Sequence, residues 1–437
     1  MTQGVQGKRK CFGFIFAVLI MTNVWADDLP RGRPEEIGFS AERLDYIDKF
    51  YADKVKSGQM AGIVTLVARH GKVVHFSAVG YADLEKKKRM ETDTIFRLYS
   101  MTKPIASTAL MMLYQEGRFQ MNDPLSKYIP EFANLRVLQT PDAPLEGTVA
   151  PVHAPTMQDA MRHTAGFTHG LDTDAFDAQY TKANVFGLDV TLAEMMIKLS
   201  KIPLRYQPGT KFVYSVGPDV QARLVEVLSG MSFDEFLQKR LFNPLGMKDA
   251  GFWVPPGKAN RLATVYWAKD GKLLPLDNAH GHPPGGVLFE PWLVNSYTAN
   301  HKHKGGSFGL VSTAEDYWRF AQMILNGGQF AGTRIVSPQV VHYMARDHLG
   351  TIRIEGAGER PSGIGFGLGF AVMKDPAEAG YMSSEGTFFW AGAANTHFWI
   401  DPKEDLVVVA MTQDMGGAPG DELWPQIRTL VYSALME

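Results

Sequence analysis

The first third of the chain shows a helical and then a strand-like distribution of apolar positions. Ser40 precedes a segment whose apolar residues recur at helical spacing, which predicts an N-capped helix near residues 41–57. Two apolar runs, Ile63–Val67 and Val73–Phe76, flank a polar turn at His70–Lys72 that contains a glycine. This arrangement predicts a β-hairpin with a tight turn.

The pattern changes twice more further along the chain. Helical spacing begins at Ile105–Tyr114, and helical segments alternate with Pro- and Gly-rich loops to about residue 300. Strand patterns return at Gly367–Met373, Thr396–Ile400 and Leu406–Thr412. Strands at both ends with helices between them predict an α+β fold whose sheet is built from the two termini. We therefore expect a sheet region at about residues 27–104 and 305–437, with a helical lobe at about residues 105–304 inserted between the two parts.

The N-terminal segment has the three-part pattern of a secretory signal peptide. Lys8-Arg9-Lys10 is a basic start, Phe12–Met21 an apolar core, and Val24-Trp25-Ala26 offers the small residues that signal peptidase requires. We expect cleavage after Ala26, which predicts a signal peptide at residues 1–26 and a periplasmic or secreted mature protein. The apolar core is about half as long as a membrane-spanning helix, so no stable membrane anchor is expected. The single cysteine, Cys11, lies in this segment, which leaves the mature chain without a disulfide or a thiol nucleophile.

Composition and charge are those of an ordinary globular protein. Of 437 residues, 45% are hydrophobic and 21% charged, and the formal net charge is -2. A nucleic-acid-binding protein usually carries a basic surplus, so no nucleic-acid partner is expected. The basic run Lys86-Lys87-Lys88-Arg89 is interpreted as the solvated edge of a hairpin. Nothing in the sequence predicts an oligomeric state.

One tetrapeptide carries a strong chemical signal. Ser100-Met101-Thr102-Lys103 is the single Ser-x-x-Lys of the chain, and it lies where a strand-like segment gives way to a helix. Residues three apart share a helix face, so the two side chains can meet. A serine hydroxyl needs an adjacent base, and a lysine can serve only if burial or a helix N-terminus lowers its pKa. Chance alone would produce about one such tetrapeptide in a chain this long, but Pro104 fixes this one in a first helical turn.

Three motifs together resemble a known superfamily. Ser100–Lys103, Tyr214-Ser215-Val216 and Trp390-Ala391-Gly392 stand in the order found in class C β-lactamases and penicillin-binding proteins, and the sequence looks most similar to the family VIII carboxylesterases. Further segments that resemble this superfamily are Pro34–Phe39, Arg162–Gly166 and Gly309–Tyr317.

The resemblance implies a fold and a set of roles. The fold would be that of β-lactamases and transpeptidases, an antiparallel sheet with flanking helices plus a helical lobe. Ser100 would be the nucleophile, with Lys103 and Tyr214 moving its proton. The backbone N–H groups of Ser100 and Ala393 would form the oxyanion hole, and Trp390-Ala391-Gly392 would line the substrate cleft on an edge strand. No cofactor and no metal would be needed.

The sequence departs from β-lactamases at two polar anchors. The lysine that opens their third motif is replaced by Trp390, and the asparagine of their second motif by Val216. Both changes favour apolar substrates, so we expect a serine esterase acting on short-chain carboxylic esters through an acyl-enzyme. The partner would be a small-molecule ester, bound in a cleft to which Phe388, Phe389 and residues 280–292 also contribute. A β-lactamase, a D-alanyl peptidase or a non-catalytic penicillin-binding sensor could use the same residues and stays open.

Two other patterns suggest different chemistry. Gly305-Gly306-Ser307-Phe308-Gly309 matches the nucleophile motif of α/β-hydrolases, but a polar run precedes it where a central parallel strand is required. The pairs His280-Gly281-His282 and His301-Lys302-His303 could bind zinc, yet no carboxylate or His-Glu-x-x-His helix accompanies them. We interpret His163 and His169 as residues that hold a loop by hydrogen bonds.

Overall fold

The structure is a computed structural model. It describes residues 1, 2, 4, 29–170, 174–283, 290–354, 361–415 and 423–436. The predicted signal peptide, with its cleavage site after Ala26 and with Cys11, lies outside these residues apart from its first positions. Within the described part of the chain, no helix is both long enough and apolar enough to cross a membrane.

The strands fall into one large sheet and several two- or three-stranded ones. In chain order they are β1 Gly62–Arg69, β2 Lys72–Asp83, β3 Lys88–Arg89, β4 Phe96–Arg97, β5 Val137–Leu138, β6 Thr148–Val149, β7 Tyr266–Lys269, β8 Lys272–Pro275, β9 Val311–Ser312, β10 Gln329–Phe330, β11 Thr333–Arg334, β12 Ile364–Phe366, β13 Ala371–Met373, β14 Phe388–Gly392, β15 Thr396–Asp401, β16 Leu406–Met411 and β17 Asp414–Met415.

The helices lie at both ends of the chain and throughout its middle. They are α1 Ala41–Lys56, α2 Thr102–Gln115, α3 Met157–Met161, α4 Ala178–Lys182, α5 Leu192–Leu199, α6 Gly217–Ser229, α7 Phe233–Leu237, α8 Asn243–Leu245, α9 Pro291–Val294, α10 Ala314–Leu325, α11 Pro338–Met344, α12 Pro376–Ala379 and α13 Leu423–Ala434. A single π-helical turn, Gln238–Phe242, joins α7 to α8.

The large sheet confirms the predicted α+β fold. Its eight strands run in the order β12-β13-β14-β15-β16-β1-β2-β3, so strands from both ends of the chain meet between β16 and β1. All the pairings along this order are antiparallel. Strands β1, β15 and β16 are buried at every position, as expected for strands that are covered on both faces.

Helices cover the two faces of this sheet. Side chains alternate along a strand, so neighbours in β15 point to opposite faces. Phe398 packs on Tyr317 of α10, whereas Trp399 packs on Tyr432 of α13. Helix α13 also packs against α1, so that α1 and α13 together cover one face.

The central helices are joined to the sheet through α2. Helix α2 packs along α6, and a buried hydrogen bond from Ser107 Oγ to Gln221 Oε1 (2.7 Å) links the two helices. Gln221 Nε2 in turn donates to the carbonyl of Ala160 in α3 (3.1 Å). The large hydrophobic core cluster contains residues of the sheet, of α2 and of the central helices. Helix α2 therefore belongs to the core of the sheet region and to that of the central helical region.

The predicted N-terminal elements are confirmed. Ser40 Oγ accepts a hydrogen bond from the backbone N–H of Arg43 and so caps α1. The hairpin β1–β2 turns at His70 and Gly71, which have φ values of 53° and 69°. Two positive φ angles are what a tight two-residue hairpin turn requires. The basic run ends in β3, the outermost strand of the sheet, with Lys86 and Lys87 exposed.

One predicted strand is wrong. The sequence pattern predicted continuous strand over Gly367–Met373, but the chain turns back on itself between β12 and β13. Gly369 has φ 95° in this turn, and a Cβ there would lie 2.5 Å from Ser107 Oγ. The turn therefore packs closely on α2, a contact that local strand propensity does not report.

Candidate active site

Ser100 lies in a 3-10 turn, Tyr99–Met101, between β4 and α2. Tyr99 has φ 47°, a left-handed conformation that is uncommon outside glycine. Its ring is buried in a small apolar cluster that includes Trp267 and Met415, and this packing holds the sharp turn in place. Ser100 therefore stands at the start of α2, with 8% of its surface exposed.

Lys103 is one helical turn further on and points back to the serine. Its Nζ lies 3.1 Å from Ser100 Oγ and donates a hydrogen bond of 2.7 Å to the carbonyl of Ser307. The same ammonium lies 4.5 Å above the centre of the Tyr214 ring, which is a cation–π contact. The structure thus brings together the three residues that the first two motifs identify.

The surroundings of Lys103 favour its uncharged form. The side chain is buried, and burial lowers the pKa of Lys103 to about 7, while the charge of Asp219 acts in the opposite direction. An ordinary lysine is protonated at neutral pH and cannot accept a proton. Lys103 can therefore take the proton of Ser100 Oγ near neutrality.

Tyr214 is enclosed by aromatic rings. His169 stacks on it with ring centroids 5.3 Å apart, and His163 and Trp390 contact it at 5.0 and 5.6 Å. The residue enters α6, which begins three positions later at Gly217. One stacked and two tilted ring contacts thus hold the phenol ring beside Lys103.

The third motif ends next to the Ser100 turn. Thr396 Oγ1 donates to the carbonyl of Leu98 (3.2 Å), and a Cβ on Gly392 would lie 2.3 Å from the same carbonyl oxygen. Glycine is therefore required where β14 approaches the turn. Ala393 follows directly and packs against the cluster that holds the Tyr99 ring, so its backbone lies beside the start of α2.

Two details of the third motif differ from prediction. Strand β14 is the third strand from the end of the sheet and not an edge strand, because the β12–β13 hairpin extends the sheet beyond it. Among the described residues, the pairing of β13 with β14 involves Phe388 and Phe389 of β14. Phe389 does not line the cleft, since strand alternation turns it towards Arg428 of α13.

Asp219 was not identified from the sequence, and Ser307 was considered there only as a rival nucleophile. Asp219 is fully buried in the first turn of α6, and its carboxylate accepts hydrogen bonds from Ser307 N–H (3.0 Å) and Ser307 Oγ. Ser307 thus donates its hydroxyl to a carboxylate, and its carbonyl accepts from Lys103. The sequence features that could have pointed to these two residues are an aspartate five residues after Tyr214 and the Gly-Gly pair before Ser307.

The histidines contact protein groups. His163 Nδ1 lies 2.9 Å from Ser215 Oγ, which agrees with its predicted loop-holding role, whereas His169 contributes stacking. In the two His-x-His pairs, His280 Nδ1 contacts Asp277 and His303 Nδ1 contacts the carbonyl of Val190. No group of three or more potential metal ligands occurs among the residues that the structure describes.

The fold and the Ser100–Lys103 pair define a serine hydrolase. The chain matches the beta-lactamase family over residues 47–432 and belongs to that family. An uncharacterized protein of Mycobacterium tuberculosis is 32% identical over 370 residues, which cover 82% of this chain and 86% of that protein. Esterase EstB of Burkholderia gladioli is 29% identical over 404 residues, covering 90% and 95% of the two chains.

Solved structures show the same fold. EstCE1, described as a hydrolase with promiscuous acyltransferase activity, superposes with a TM-score of 0.76 at 26% identity and covers 90% of this chain and 98% of its own. The octameric penicillin-binding protein homologue from Pyrococcus abyssi gives a TM-score of 0.65 at 19% identity, covering 89% and 77% of the two chains. The second likeness concerns the fold alone.

Proposed function

We propose that this protein is a carboxylesterase that hydrolyses short-chain carboxylic esters through an acyl-enzyme on Ser100. The observation that carries the proposal is the Ser100–Lys103 pair: Oγ and Nζ are 3.1 Å apart, and burial lowers the pKa of Lys103 to about 7. A nucleophile with a base in reach that is uncharged near neutral pH is what acyl transfer needs.

The reaction begins with attack of Ser100 Oγ on the ester carbonyl carbon. Lys103 Nζ accepts the hydroxyl proton as the new C–O bond forms, and the backbone N–H groups of Ser100 and Ala393 stabilise the oxyanion. The tetrahedral intermediate then expels the alcohol, which takes up a proton that passes from Lys103 by way of the Tyr214 phenol. The contact that supports a role for Tyr214 is the position of its ring 4.5 Å from Nζ, which keeps the phenol beside the base.

Deacylation repeats these steps with water. Water attacks the acyl carbon while the Lys103–Tyr214 pair accepts its proton, and the carboxylic acid leaves as Ser100 Oγ takes a proton back. The same groups serve both halves of the cycle. Slow deacylation would show as a burst of alcohol release.

The side chains around the site favour binding of an ester over binding of a charged substrate. Trp390 replaces the lysine of the β-lactamase motif and packs between Tyr214 and Phe366, with centroid distances of 5.6 and 5.3 Å. The Val216 side chain is fully buried and carries no polar group. An apolar acyl or alkyl group fits such walls better than the carboxylate and amide of a β-lactam.

The mature enzyme would act outside the cytoplasm. The Lys8–Ala26 segment has the sequence of a cleavable signal peptide, and we propose a periplasmic or secreted location. N-terminal sequencing of the protein recovered from the periplasm or the medium tests this proposal, and the expected first residue is Asp27.

Covalent labelling tests the proposed function. The purified mature protein is incubated with a fluorophosphonate and mapped by mass spectrometry, and p-nitrophenyl butyrate turnover is measured for wild type, Ser100→Ala and Ser307→Ala. We expect an adduct on Ser100 and no turnover by Ser100→Ala. Loss of turnover in Ser307→Ala with full activity in Ser100→Ala would instead identify the α/β-hydrolase-like motif as the nucleophile.

Substrate comparison separates the related activities. Rates on the butyrate ester, a D-alanyl peptide and a cephalosporin are measured side by side, because all three can use the same residues. The ester should be the fastest by far. Faster peptide or cephalosporin cleavage would make the protein a peptidase or a β-lactamase, and labelling without turnover of any of the three would make it a sensor.

A further inference from the structure

A buried carboxylate lies behind the general base. Asp219 stands in the first turn of α6, five residues after Tyr214, and none of its surface is exposed. Its two carboxylate oxygens accept from two different groups of Ser307, the backbone N–H at 3.0 Å and the hydroxyl. Burying a carboxylate is costly unless its hydrogen bonds are made, so this double contact strongly constrains the loop.

The loop is shaped to reach that carboxylate. A Cβ on Gly305 would lie 2.8 Å from Asp219 Oδ1, and a Cβ on Gly306 would lie 2.0 Å from the carbonyl oxygen of Pro218. Any side chain at either position would push the loop away from α6. The Gly-Gly pair therefore permits Ser307 to sit directly on the first turn of the helix.

The other side of Ser307 faces Lys103. Its carbonyl accepts a hydrogen bond of 2.7 Å from Lys103 Nζ, which is shorter than the 3.1 Å from Nζ to Ser100 Oγ. Resting on the proposed function, we propose that Asp219 is a positioning residue: through Ser307 it fixes the Lys103 amine opposite Ser100, and its charge stabilises the lysine once that residue has taken the proton.

The charges around this group agree with such a role. Burial raises the pKa of Asp219, while the hydrogen bonds from Ser307 and the positive charge of protonated Lys103 act in the opposite direction. Burial also lowers the pKa of His303, and it holds the pKa of His163 and His169 well below the usual range. These three rings are therefore neutral near pH 7.

Two further groups complete the surroundings. Tyr214 contributes its ring face to Lys103, and Lys304 is buried with a pKa that burial lowers. Lys304 donates to Asn300 Oδ1 and not to Asp219. The charge of Asp219 raises the pKa of Lys103, so removal of that charge should lower the pKa of Lys103 further.

The rate at which a fluorophosphonate inactivates the enzyme tests this role without depending on a chosen ester. The rate is measured from about pH 5 to about pH 9 for wild type, Asp219→Asn, Ser307→Ala and Asp401→Asn, with the adduct mapped to Ser100. Asp401 is a matched control, since it is also fully buried and hydrogen-bonded, at the end of the β15–β16 pairing.

We expect Asp219→Asn to shift the midpoint of the profile to lower pH by about one unit, because an opposite charge nearby shifts a pKa by roughly that amount or more. Its maximal rate should fall about tenfold, since the amine is held less well. Ser307→Ala keeps the charge, so its rate should fall a few-fold at an unchanged midpoint. Asp401→Asn should keep both the wild-type midpoint and the wild-type rate.

The outcomes separate this inference from the function on which it rests. Wild-type rate and midpoint in folded Asp219→Asn would overturn the positioning role alone. Absence of Ser100 labelling in the wild type would overturn the proposed function and this role with it. Circular dichroism checks folding, and if Asp219→Asn does not fold, slower labelling of Ser307→Ala supports the role whereas a wild-type rate contradicts it.

Discussion

At the scale of single residues, the protonation of Lys103 should control the rate. Because the pKa of Lys103 is about 7, kcat/KM should rise with pH as the amine loses its proton and reach half its maximum near pH 7. Lys103→Arg keeps the positive charge but cannot lose a proton, so it should lower kcat/KM by about 10³-fold at every pH. Initial rates on p-nitrophenyl butyrate, with melting curves for both proteins, measure this.

The control for this prediction lies on the same helix. Thr108 is buried in α2 and its hydroxyl bonds to the carbonyl of Pro104, so Thr108→Val should leave the pH profile in place. Near-wild-type activity in Lys103→Arg or in Lys103→Ala would contradict the assignment of Lys103 as the base.

Contacts between residues close in sequence could be predicted, whereas contacts between residues far apart in sequence could not. Ser100 and Lys103 are three apart, so helical spacing alone predicts that they meet. The bond between Asp219 and Ser307 joins positions 88 apart, and no local pattern encodes that separation. Ser307 was weighed as a rival nucleophile, whereas in the structure its hydroxyl and carbonyl are both engaged in supporting contacts.

At the scale of elements, the contact between α6 and the loop before Ser307 depends on the absence of a side chain. A Cβ on Gly306 would lie 2.0 Å from a backbone oxygen of α6, which cannot move without moving the helix. Gly306→Ala should therefore displace the loop and lower kcat by about 10²-fold, since small displacements of catalytic groups have effects of that size. Gly257→Ala is the matched control, because a Cβ there meets nothing within 4 Å.

This prediction is tested by measuring kcat and the melting temperature of Gly306→Ala and of Gly257→Ala. Equal kcat values for Gly306→Ala and Gly257→Ala would show that the loop does not position Lys103. A lowered melting temperature in Gly306→Ala with unchanged kcat would mean that the contact serves stability alone.

The packing of α13 on the sheet depends on one buried cation. The Arg428 guanidinium lies 4.7 Å from the ring of Phe389 and 4.9 Å from that of Trp399, and it donates to Ser383 Oγ at 3.1 Å. Lysine lacks the flat group that stacks between two rings, so Arg428→Lys should destabilise the protein by about 2 kcal/mol. Urea unfolding measures the loss, with Arg334→Lys on an exposed hairpin as the control.

The kinetic constants of Arg428→Lys complete that test. Arg428 lies on the face of the sheet opposite Trp390, so kcat/KM of the folded variant should equal that of the wild type. Unchanged stability would show that the stacking contributes nothing that a lysine cannot replace.

Helices, strands and turns were predicted correctly where the local sequence pattern and the tertiary packing favour the same structure. The cap at Ser40 and the turn at His70 and Gly71 use local chemistry, and both were predicted. The β12–β13 hairpin was missed because its turn fits against Ser107 of α2, and β14 was taken for an edge strand because the hairpin beyond it was not recognised. In each case a distant partner overrides local propensity.

At the scale of the whole molecule, the site joins parts of the chain that are far apart. Ser100 lies in the 3-10 turn before α2 and Lys103 in the first turn of that helix. Tyr214 and Asp219 lie at the entry and in the first turn of α6, and Ala393 follows β14. The sheet that holds β14 is itself closed by the pairing of β16 with β1, from opposite ends of the chain. The ends also meet directly, where the backbone N–H of Ser40 donates to the carbonyl of Ala434 (2.9 Å).

This connectivity predicts that activity and tertiary structure are lost together. Helix α2 packs on α6 and belongs to the same core cluster as the sheet, so the central helices cannot separate without opening the site and the sheet core. Under increasing urea, the rate on p-nitrophenyl butyrate and the near-ultraviolet circular dichroism should have the same midpoint. Ser100→Ala, followed by dichroism alone, shows whether the reaction itself shifts that midpoint. Activity lost at clearly lower urea would mean that the helical region opens first, as an independently unfolding unit.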